Sequence, residues 1–236
     1  MSINFKFNRK LRFPLNKMDA GCAREHYGIS MKKPRGTKEA MIVAAERRFA
    51  LHGLEGTSLR QIAIDSGQRN ESVAHYHFGS REGLIRAILN YRISTINERR
   101  AKHLAQAMDG NSWIPAEKIA AVIILPMAEE IFINWRNCYW MRFMSQLFAI
   151  NKFRYLADEF ESQSPALVVT HNLMAAMPGI DAAVLEIRRD ILRRDVVWGL
   201  SRVEEMSFHE TAEMCELHIA NLIDMFSAGI SATPSK

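Results

Sequence analysis

Polar side chains able to hydrogen-bond to DNA bases lie close together in the first third of the 236-residue chain. Arg69, Asn70, Ser72 and His75 fall within seven residues. An arginine can bond to guanine in a bidentate manner, an asparagine can pair similarly with adenine, and a serine can bond to either base. We therefore expect these four side chains to face the major groove of double-stranded DNA, with Gln68 beside them.

Other polar residues nearby are better suited to the phosphates of DNA than to its bases. Ser58 and Arg81 stand at the expected starts of helices, where free backbone amides attract anions. The predicted phosphate-contacting set is Ser58, Arg60, Tyr76, His77 and Arg81. Two alternatives stay open: Tyr76 and His77 could belong partly to the core, and Arg60 could simply solvate its helix.

The elements that must position these residues are short helices with clear start and stop signals. Thr37 can cap a helix that runs to about residue 52, with Gly53 as its stop. Ser58 and Gln61 form a capping box, in which the serine accepts from the backbone amide of Gln61 and the glutamine side chain reaches back. This box predicts a short helix that ends at Asp65.

A second short helix, at about residues 70–77, completes a predicted helix-turn-helix. Ala63 is small enough for the two helices to cross closely, and Gly67 tolerates the positive φ that a tight turn needs. Val73, ten residues after Ala63, is the expected buried anchor of the second helix. A purely structural helical hairpin is the alternative, but these offsets together favour DNA binding.

The rest of the chain is also predicted to be helical. Ser80 can cap a long helix, Pro126 should kink a later one, and no segment alternates as a half-buried strand does. The fold class is therefore expected to be all-α. The predicted helices after the helix-turn-helix cover about residues 81–106, 115–133, 137–150, 165–176, 181–204 and 209–229.

Composition excludes several classes of protein and divides the chain by charge. The formal net charge is +5, hydrophobic residues make up 48%, and the three cysteines are widely spaced, which favours a reducing cytoplasm over a disulfide scaffold. The most apolar run is too short to span a membrane. Lysine and arginine exceed acidic residues within residues 1–105 and fall short of them within 106–236, so a basic part can meet a polyanion.

Residues 1–33 differ from the rest and are predicted to be a basic, disordered extension. They mix phenylalanines with lysines and arginines without steady periodicity. A basic arm that touches DNA phosphates is the alternative. A third interpretation is that Met31 is the native start of the chain.

The motifs resemble those of TetR-type (TetR/AcrR) bacterial transcriptional regulators. The resemblance covers about residues 37–90, from Ala44 and Phe49 through the Gly53–Ala63 run to the Tyr-His-Phe-Gly-Ser-Arg-Glu junction that begins at Tyr76. It implies a three-helix DNA-binding domain at 34–82 and a larger helical effector-binding and dimerisation domain at 83–236. It also implies a homodimer on a palindromic operator, usually a repressor released by a small molecule.

The sequence departs from the family pattern in the turn and just after it. Gln68 and Arg69 stand where the family usually has an apolar residue followed by serine or threonine, and one extra residue lies between Gly67 and Phe78. Either Ala74 or His75 can therefore occupy the position at which the family often carries tyrosine.

Large apolar side chains in the second half could form either an ordinary core or the pocket for an apolar or aromatic effector that the resemblance implies. Within the same stretch, Arg142 is a candidate partner for a ligand carboxylate, although an exposed arginine is the simpler interpretation. The candidate ligand-binding residues are Trp135, Tyr139, Trp140, Phe143, Met144, Leu147, Met174 and Trp198.

The last two helices are expected to form the homodimer interface. The predicted apolar stripe on the final helix consists of Leu217, Ala220, Ile223 and Phe226. The predicted stripe on the helix before it consists of Val184, Ile187, Ile191 and Trp198. A two-fold dimer would present its recognition helices about one DNA turn apart.

Other functional classes find less support in the sequence. No fingerprint of a nucleotide-binding loop, serine hydrolase or zinc protease occurs, so we expect neither an enzyme nor a cofactor. Two histidines at positions 75 and 77 point apart on a helix, and the set His209, Cys215 and His218 lacks further ligands, so no metal is expected. A helical scaffold without a specific DNA site is the remaining alternative.

Overall fold

The computed structural model describes residues 34–70 and 72–233, and these residues form helices without any strand. The all-α prediction is therefore confirmed for this part of the chain. The predicted extension 1–33 lies outside the described residues. The helices are α1 (Thr37–His52), α2 (Leu59–Asp65), α3 (Ser72–Phe78), α4 (Arg81–Met108), α5 (Ala116–Ile133), α6 (Trp140–Ala149), α7 (Asn151–Ser162), α8 (Pro165–Ala175), α9 (Ala182–Met206) and α10 (Ala212–Ser231).

Most predicted helices lie within a few residues of their observed bounds, but α7 was missed. Its apolar residues Phe153, Leu156, Ala157 and Phe160 are buried and follow a helical spacing that the sequence already contained. The start of α1 also differs from the expectation. Gly36 is the residue before the helix, and Thr37 is its first helical residue without a capping role.

Helix α5 forms the centre of the larger helical part. Almost every residue from Ile119 to Phe132 is buried, and α4 and α10 pack against it. The helix continues through Pro126, which is itself buried. Burial of an almost wholly apolar helix on all sides supplies the hydrophobic driving force for this part of the fold.

Helices α9 and α10 pack closely because two glycines allow their backbones to approach. A Cβ atom at Gly199 would lie 3.0 Å from the side chain of Leu222, and one at Gly229 would lie 3.1 Å from Leu192. Each contact is tighter than ordinary van der Waals packing. The absence of a side chain at these two positions therefore sets how closely the last two helices approach each other.

The N-terminal helices pack directly on the larger part of the protein. Helix α1 contacts both α4 and α6, and the ring of Phe49 stacks on that of Phe143 with centroids 6.2 Å apart. Helix α4 packs against both parts of the protein, since it contacts α1 and α3 as well as α5. Within the described residues, none of the helices combines the length and apolar character needed to span a membrane.

Candidate nucleic-acid interface

The capping box predicted at the start of α2 is confirmed. The Ser58 hydroxyl accepts from the backbone amide of Gln61 at 3.2 Å, and the Gln61 side chain accepts from the Ser58 backbone amide at 3.0 Å. The hydroxyl of Ser58 also lies 3.1 Å from Gln61 Oε1. Ser58 is thus already engaged in local hydrogen bonds that start α2, the first helix of the helix-turn-helix.

The turn after α2 has the expected left-handed glycine. Gly67 has a φ of 80°, a conformation that residues with a Cβ rarely adopt. The backbone amide of Gln68 then donates to the Ala63 carbonyl at 2.8 Å and closes the turn. Asp65, at the end of α2, forms an ion pair of 2.5 Å with Arg48 of α1, which ties the turn to the first helix.

Ala74, rather than Val73, is the buried residue of α3. Ala63 and Ala74 pack together with Met41 of α1, and each of the three is almost fully buried. Val73 is only partly buried at the edge of this cluster. Ala74 is therefore the α3 side chain that faces the first two helices.

Burial of Ala74 directs the polar face of α3 towards solvent. Tyr76 is 85% exposed, Arg69, Ser72 and His75 are exposed as well, and His77 and Gln68 are partly buried. His75 also lies 3.3 Å, through Nδ1, from the carbonyl oxygen of Gly79. The exposed members, Arg69, Ser72, His75 and Tyr76, thus lie on or just before one short helix. Whether they contact DNA stays a prediction.

Asn70 has a structural task that limits its availability to a base. Its Oδ1 accepts from the backbone amide of Ser72 at 2.9 Å, at the start of α3. Bidentate pairing with adenine needs both the oxygen and the nitrogen of the amide. Asn70 is therefore better placed to start the recognition helix than to pair with adenine through both atoms.

Arg81 also differs from its predicted role as a phosphate contact. Its guanidinium donates to the carbonyl oxygen of Thr57 at 2.8 Å and also to that of Leu54. Both carbonyls belong to the loop before α2, so Arg81 ties this loop to the start of α4. Arg60, by contrast, is exposed on α2 and makes no side-chain hydrogen bond within the described part of the chain.

The junction between α3 and α4 explains why its motif contains two glycines. Gly79 has a φ of 69°, and a Cβ atom at Gly83 would lie 2.0 Å from the carbonyl oxygen of Phe78. The hydroxyl of Ser80 accepts from the Gly83 backbone amide at 3.1 Å and caps α4. The end of α3 is therefore pressed against the first turn of α4, which sets the orientation of the recognition helix.

A buried ion-pair network also connects α1 to the larger helical part. Arg92 of α4 donates to Glu46 of α1 at 2.6 Å and to Glu130 of α5 at 3.0 Å. Arg99 bonds to Glu130 at 2.5 Å. Glu46 and Glu130 are almost fully buried, so both carboxylates depend on these arginines for charge compensation.

The predicted effector pocket matches a small cavity only in part. A cavity of about 50 Å³ lies among α4–α10, and of the eight predicted ligand-binding residues only Trp140 and Met144 line it. Phe143 lies between Phe49 and Trp140. Positions 140, 144 and 148 repeat every four residues on one face of α6, whereas Phe143 lies on another face of the helix.

The other predicted pocket residues have different surroundings. Trp135 stacks on Phe132 with ring centroids 5.5 Å apart, and the ring of Tyr139 lies beside Arg142. Leu147 and Met174 are core residues, and Trp198 is 55% exposed on α9. The sequence pattern identified an apolar stripe, but tertiary packing divided it between core, surface and cavity.

Arg142 is not available as a ligand partner. Its Nε donates to Glu204 at 2.9 Å, and the buried Glu204 carboxylate also accepts from the backbone amides of Met141 and Arg142. Burial nevertheless raises the pKa of Glu204. The charged residues of the cavity instead come from four other helices, and sequence reasoning missed them because nothing local distinguishes them: Arg100, Glu161, His171, Arg189 and Arg193.

The last two helices present an apolar face that differs from the predicted stripe. Ile223 and Phe226 are almost fully buried within the chain, and Ala220 and Val184 are partly buried. The expected stripe on α10 thus partly faces its own core, since the side that meets α9 and α5 is also apolar. The large exposed apolar residues of these helices are Ile187, Ile191, Trp198, Met214, Leu217 and Met225.

Cysteine and histidine residues form no metal cluster in the described residues. Cys138 and Cys215 are free and buried, and burial raises the pKa of the Cys215 thiol to about 11. His218 lies 3.0 Å, through Nδ1, from the Met214 carbonyl oxygen. Cys215 is therefore a packed core side chain rather than a ligand or nucleophile.

The architecture that these observations define is an all-helical protein with a helix-turn-helix at one end. Its overall fold is similar to three solved structures assigned to the TetR family of transcriptional regulators. One from Mesorhizobium loti MAFF303099 has a TM-score of 0.48 and 14% identity, over 84% of this chain and 98% of the other. One from a Rhodococcus species has a TM-score of 0.43 and 16% identity, over 81% and 98%.

The third similar structure is the regulator PfmR from Thermus thermophilus. Its TM-score is 0.42 at 15% identity, over 75% of this chain and 97% of the other. No family model and no curated protein sequence matches the chain. Similarity at this level describes the arrangement of the helices alone.

Proposed function

We propose that this protein is a sequence-specific DNA-binding transcriptional regulator of the TetR type. The observation that carries the proposal is the surface of α3. Ala74 is fully buried against Met41 and Ala63, while Tyr76 on the same short helix is 85% exposed. Among the described residues Tyr76 contacts only the neighbouring ring of His77, and a tyrosine exposed beside Arg69, Ser72 and His75 suits a nucleic-acid surface.

The described contacts divide the proposed interface into two kinds of residue. Arg69, Ser72, His75 and Gln68 are proposed for the bases, and Arg60, Tyr76 and His77 for the phosphates. Ser58, Asn70 and Arg81 are engaged in bonds that hold the helices, so they act first as positioning residues. Arg69 stands at the start of α3, where a guanidinium can reach guanine or a phosphate.

Dimerisation through α9 and α10 belongs to the same proposal. Three large apolar side chains, Ile187, Ile191 and Trp198, are each more than half exposed on α9, and Met225 is 68% exposed on α10. An exposed apolar face of this kind marks an interaction surface. A two-fold dimer would place two α3 helices on one palindromic site.

Release from DNA by a small molecule is the expected regulation. Helix α6 supports this idea, because Trp140 and Met144 line the cavity while Phe143 stacks on Phe49 of α1. A ligand that favours one position of α6 would bias the position of α1 and hence of α3. Only a ligand with different affinities for the two states can have this effect.

Selection from a random duplex DNA library, followed by footprinting, tests the proposal. The full chain should enrich one palindromic sequence and protect both halves symmetrically. Arg69→Ala should weaken binding by about 1–3 kcal/mol if Arg69 contacts a base, and should relax specificity at one position of each half-site. Lys102→Ala, at an exposed position in the second half of α4, also removes a positive charge and is the control that should leave the affinity unchanged.

Retention that is blind to sequence and falls steeply with salt would contradict this proposal. It would favour the alternative of a helical scaffold with a basic surface, because nonspecific binding depends almost wholly on counterion release.

A further inference from the structure

Around the small cavity lie three buried N–H groups that have no hydrogen-bond partner among the residues the structure describes. They are Nε of Arg100, Nε1 of Trp140 and Nε of Arg193, and all three side chains line the cavity. Arg100 is 3% exposed and Trp140 is 1% exposed. Buried donors are almost always paired in folded proteins, so three unpaired donors around one cavity call for a partner that fills it.

The charges around the cavity indicate the chemistry of that partner. Arg193 bonds to Asp158 at 2.6 Å and to Glu161 at 3.1 Å, and Arg189 bonds to Glu186 at 2.5 Å. Arg100 bonds only to the neutral oxygens of Asn97 at 3.4 Å and Ser164 at 3.2 Å.

Among the residues that the structure describes, no carboxylate lies within 4.0 Å of the Arg100 guanidinium. Glu161 acts on Arg100 electrostatically from beyond ion-pair distance, so the Arg100 guanidinium has no carboxylate in direct contact.

Burial dominates the titration of the ionisable groups around the cavity. Burial, together with the charges of Arg189, Arg100 and Arg193, lowers the pKa of His171 to about 4. Burial also lowers the pKa of Arg100 to about 10 and raises that of Glu161. At neutral pH His171 is therefore an uncharged imidazole that adds no further positive charge.

The remaining walls of the cavity are apolar and partly adaptable. Ile123, Met127, Phe148, Leu167 and Val197 lie around it. A volume of about 50 Å³ is enough for a few water molecules or a small organic group. Met127 and Met144 are unbranched and flexible, so a slightly longer apolar body can be accommodated by rotation of their side chains.

We propose that this cavity binds a small organic acid with one carboxylate and an apolar body. The carboxylate pairs with Arg100 and accepts from the free N–H groups of Trp140 and Arg193, while the body lies against the apolar walls. Arginine and a carboxylate form strong charge-assisted hydrogen bonds. A neutral ligand would leave the Arg100 guanidinium without a directly bonded anion, and a dianionic phosphate would bury a second charge without a counterpart.

Matched pairs of acids and alcohols test this proposal on the full chain. Sodium acetate and ethanol, and sodium propionate and 1-propanol, are titrated by calorimetry and by the fluorescence of the protein's tryptophans. Each acid should bind at least about tenfold more tightly than its alcohol, because only the carboxylate can compensate the charge of Arg100. Quenching or a shift of the emission is expected with the acids, since Trp140 lies at the site.

Three variants test whether the preference for the acid over the alcohol arises in the cavity. Arg100→Met should abolish the difference between acid and alcohol, and Arg189→Met should reduce it. Arg202→Met, on the same helix as Arg189 but with its side chain 63% exposed, should leave it unchanged. Arg189 is itself partly exposed and bonds only to Glu186 among the described residues, so its variant remains informative if Arg100→Met does not fold.

Equal binding of acid and alcohol, or binding of neither, would overturn the proposal and indicate a cavity that holds only water. An acid preference that survives both cavity substitutions would overturn it as well.

The proposal that this acid is the effector rests on the proposed function, whereas the binding of the acid to the cavity does not. Direct binding is measured without DNA, so the two proposals can fail separately. If the acids do not weaken binding to the operator, the protein is still a regulator, but its cavity does not control DNA binding. If the acids bind but no specific DNA site is found, the proposed regulatory function is wrong and the proposed acid site is retained.

Discussion

Phe143 stacks on Phe49 with ring centroids 6.2 Å apart, and this contact joins the cavity to the helix-turn-helix. Phe143 lies in α6, and its ring is 5.8 Å from that of Trp140, which lines the cavity. Phe49 lies in α1, against which α2 packs. The rings of Trp140, Phe143 and Phe49 thus form one continuous packed line from the cavity to α1.

Replacement of these rings should weaken both stability and communication. Phe143→Leu and Phe49→Leu are each expected to destabilise the fold, and a double-mutant cycle of urea unfolding should give a coupling of about 0.5–1.5 kcal/mol. DNA binding by Phe143→Leu should survive, while its response to ligand should decrease. Additive effects of the two substitutions would show that the ring contact carries no coupling.

Gly83→Ala should disturb the orientation of the recognition helix. The added methyl group would lie 2.0 Å from the Phe78 carbonyl oxygen, so the α3–α4 junction must move. We expect a loss of stability of about 1–3 kcal/mol, as in other overpacked sites, and weaker DNA binding. Thermal unfolding and DNA titration would measure both effects. Gly110→Ala separates a loss of stability from an effect on DNA binding, because its φ of +79° strains an alanine there although the added methyl group meets no atom within 4 Å.

Arg100→Met should stabilise the ligand-free protein. The substitution removes a buried cation that has no carboxylate partner and replaces it with an apolar side chain that suits the cavity walls. An increase of about 1 kcal/mol or more in the free energy of unfolding is expected, since buried charges are often less stabilising than apolar replacements. Urea unfolding without any added acid measures this change. A large loss of stability would mean that Arg100 has a purely structural purpose.

Glu216 should make stability depend on pH in the neutral range. Burial, and secondarily the charge of Glu213, raises its pKa from 4.5 to about 7. The folded protein therefore holds a proton that the unfolded chain releases, so this contribution is complete below pH 4.5 and is lost as the pH rises through 7. Glu216→Gln should consequently be more stable than the native protein at pH 8, and the difference should shrink towards pH 4.5. Unfolding curves across this range, with Glu205→Gln as an exposed control, would measure it.

Trp198→Glu should convert the proposed dimer to monomers. Trp198 is 55% exposed on α9, so a charge there costs the isolated chain little but would be buried in a dimer. Light scattering coupled to size exclusion should report a halved mass with unchanged helical circular dichroism. Val169→Glu, on the equally apolar but separate surface of α8, should remain dimeric. A native chain that is already monomeric would contradict the interface.

Local sequence signals predicted most of the helix-turn-helix but few of the residues that line the cavity. The capping box at Ser58 and the turn at Gly67 each depend on a few adjacent residues, so their chemistry is visible in the sequence. The choice between Val73 and Ala74 was not visible in this way, because it depends on the angle at which α3 meets Met41 of α1.

The sequence by itself determined the all-helical class, the start of α2, the turn, and the polar character of the recognition segment. Capping, periodicity and backbone preference act over three to seven residues, so they need no knowledge of the fold. Tertiary structure decided that Arg142 forms an ion pair with Glu204, while Arg100 bonds to Ser164 and forms no ion pair within the described residues. Pairing of a buried charge depends on which helices meet, and the carboxylate of Glu204 lies 62 residues further along the chain than Arg142.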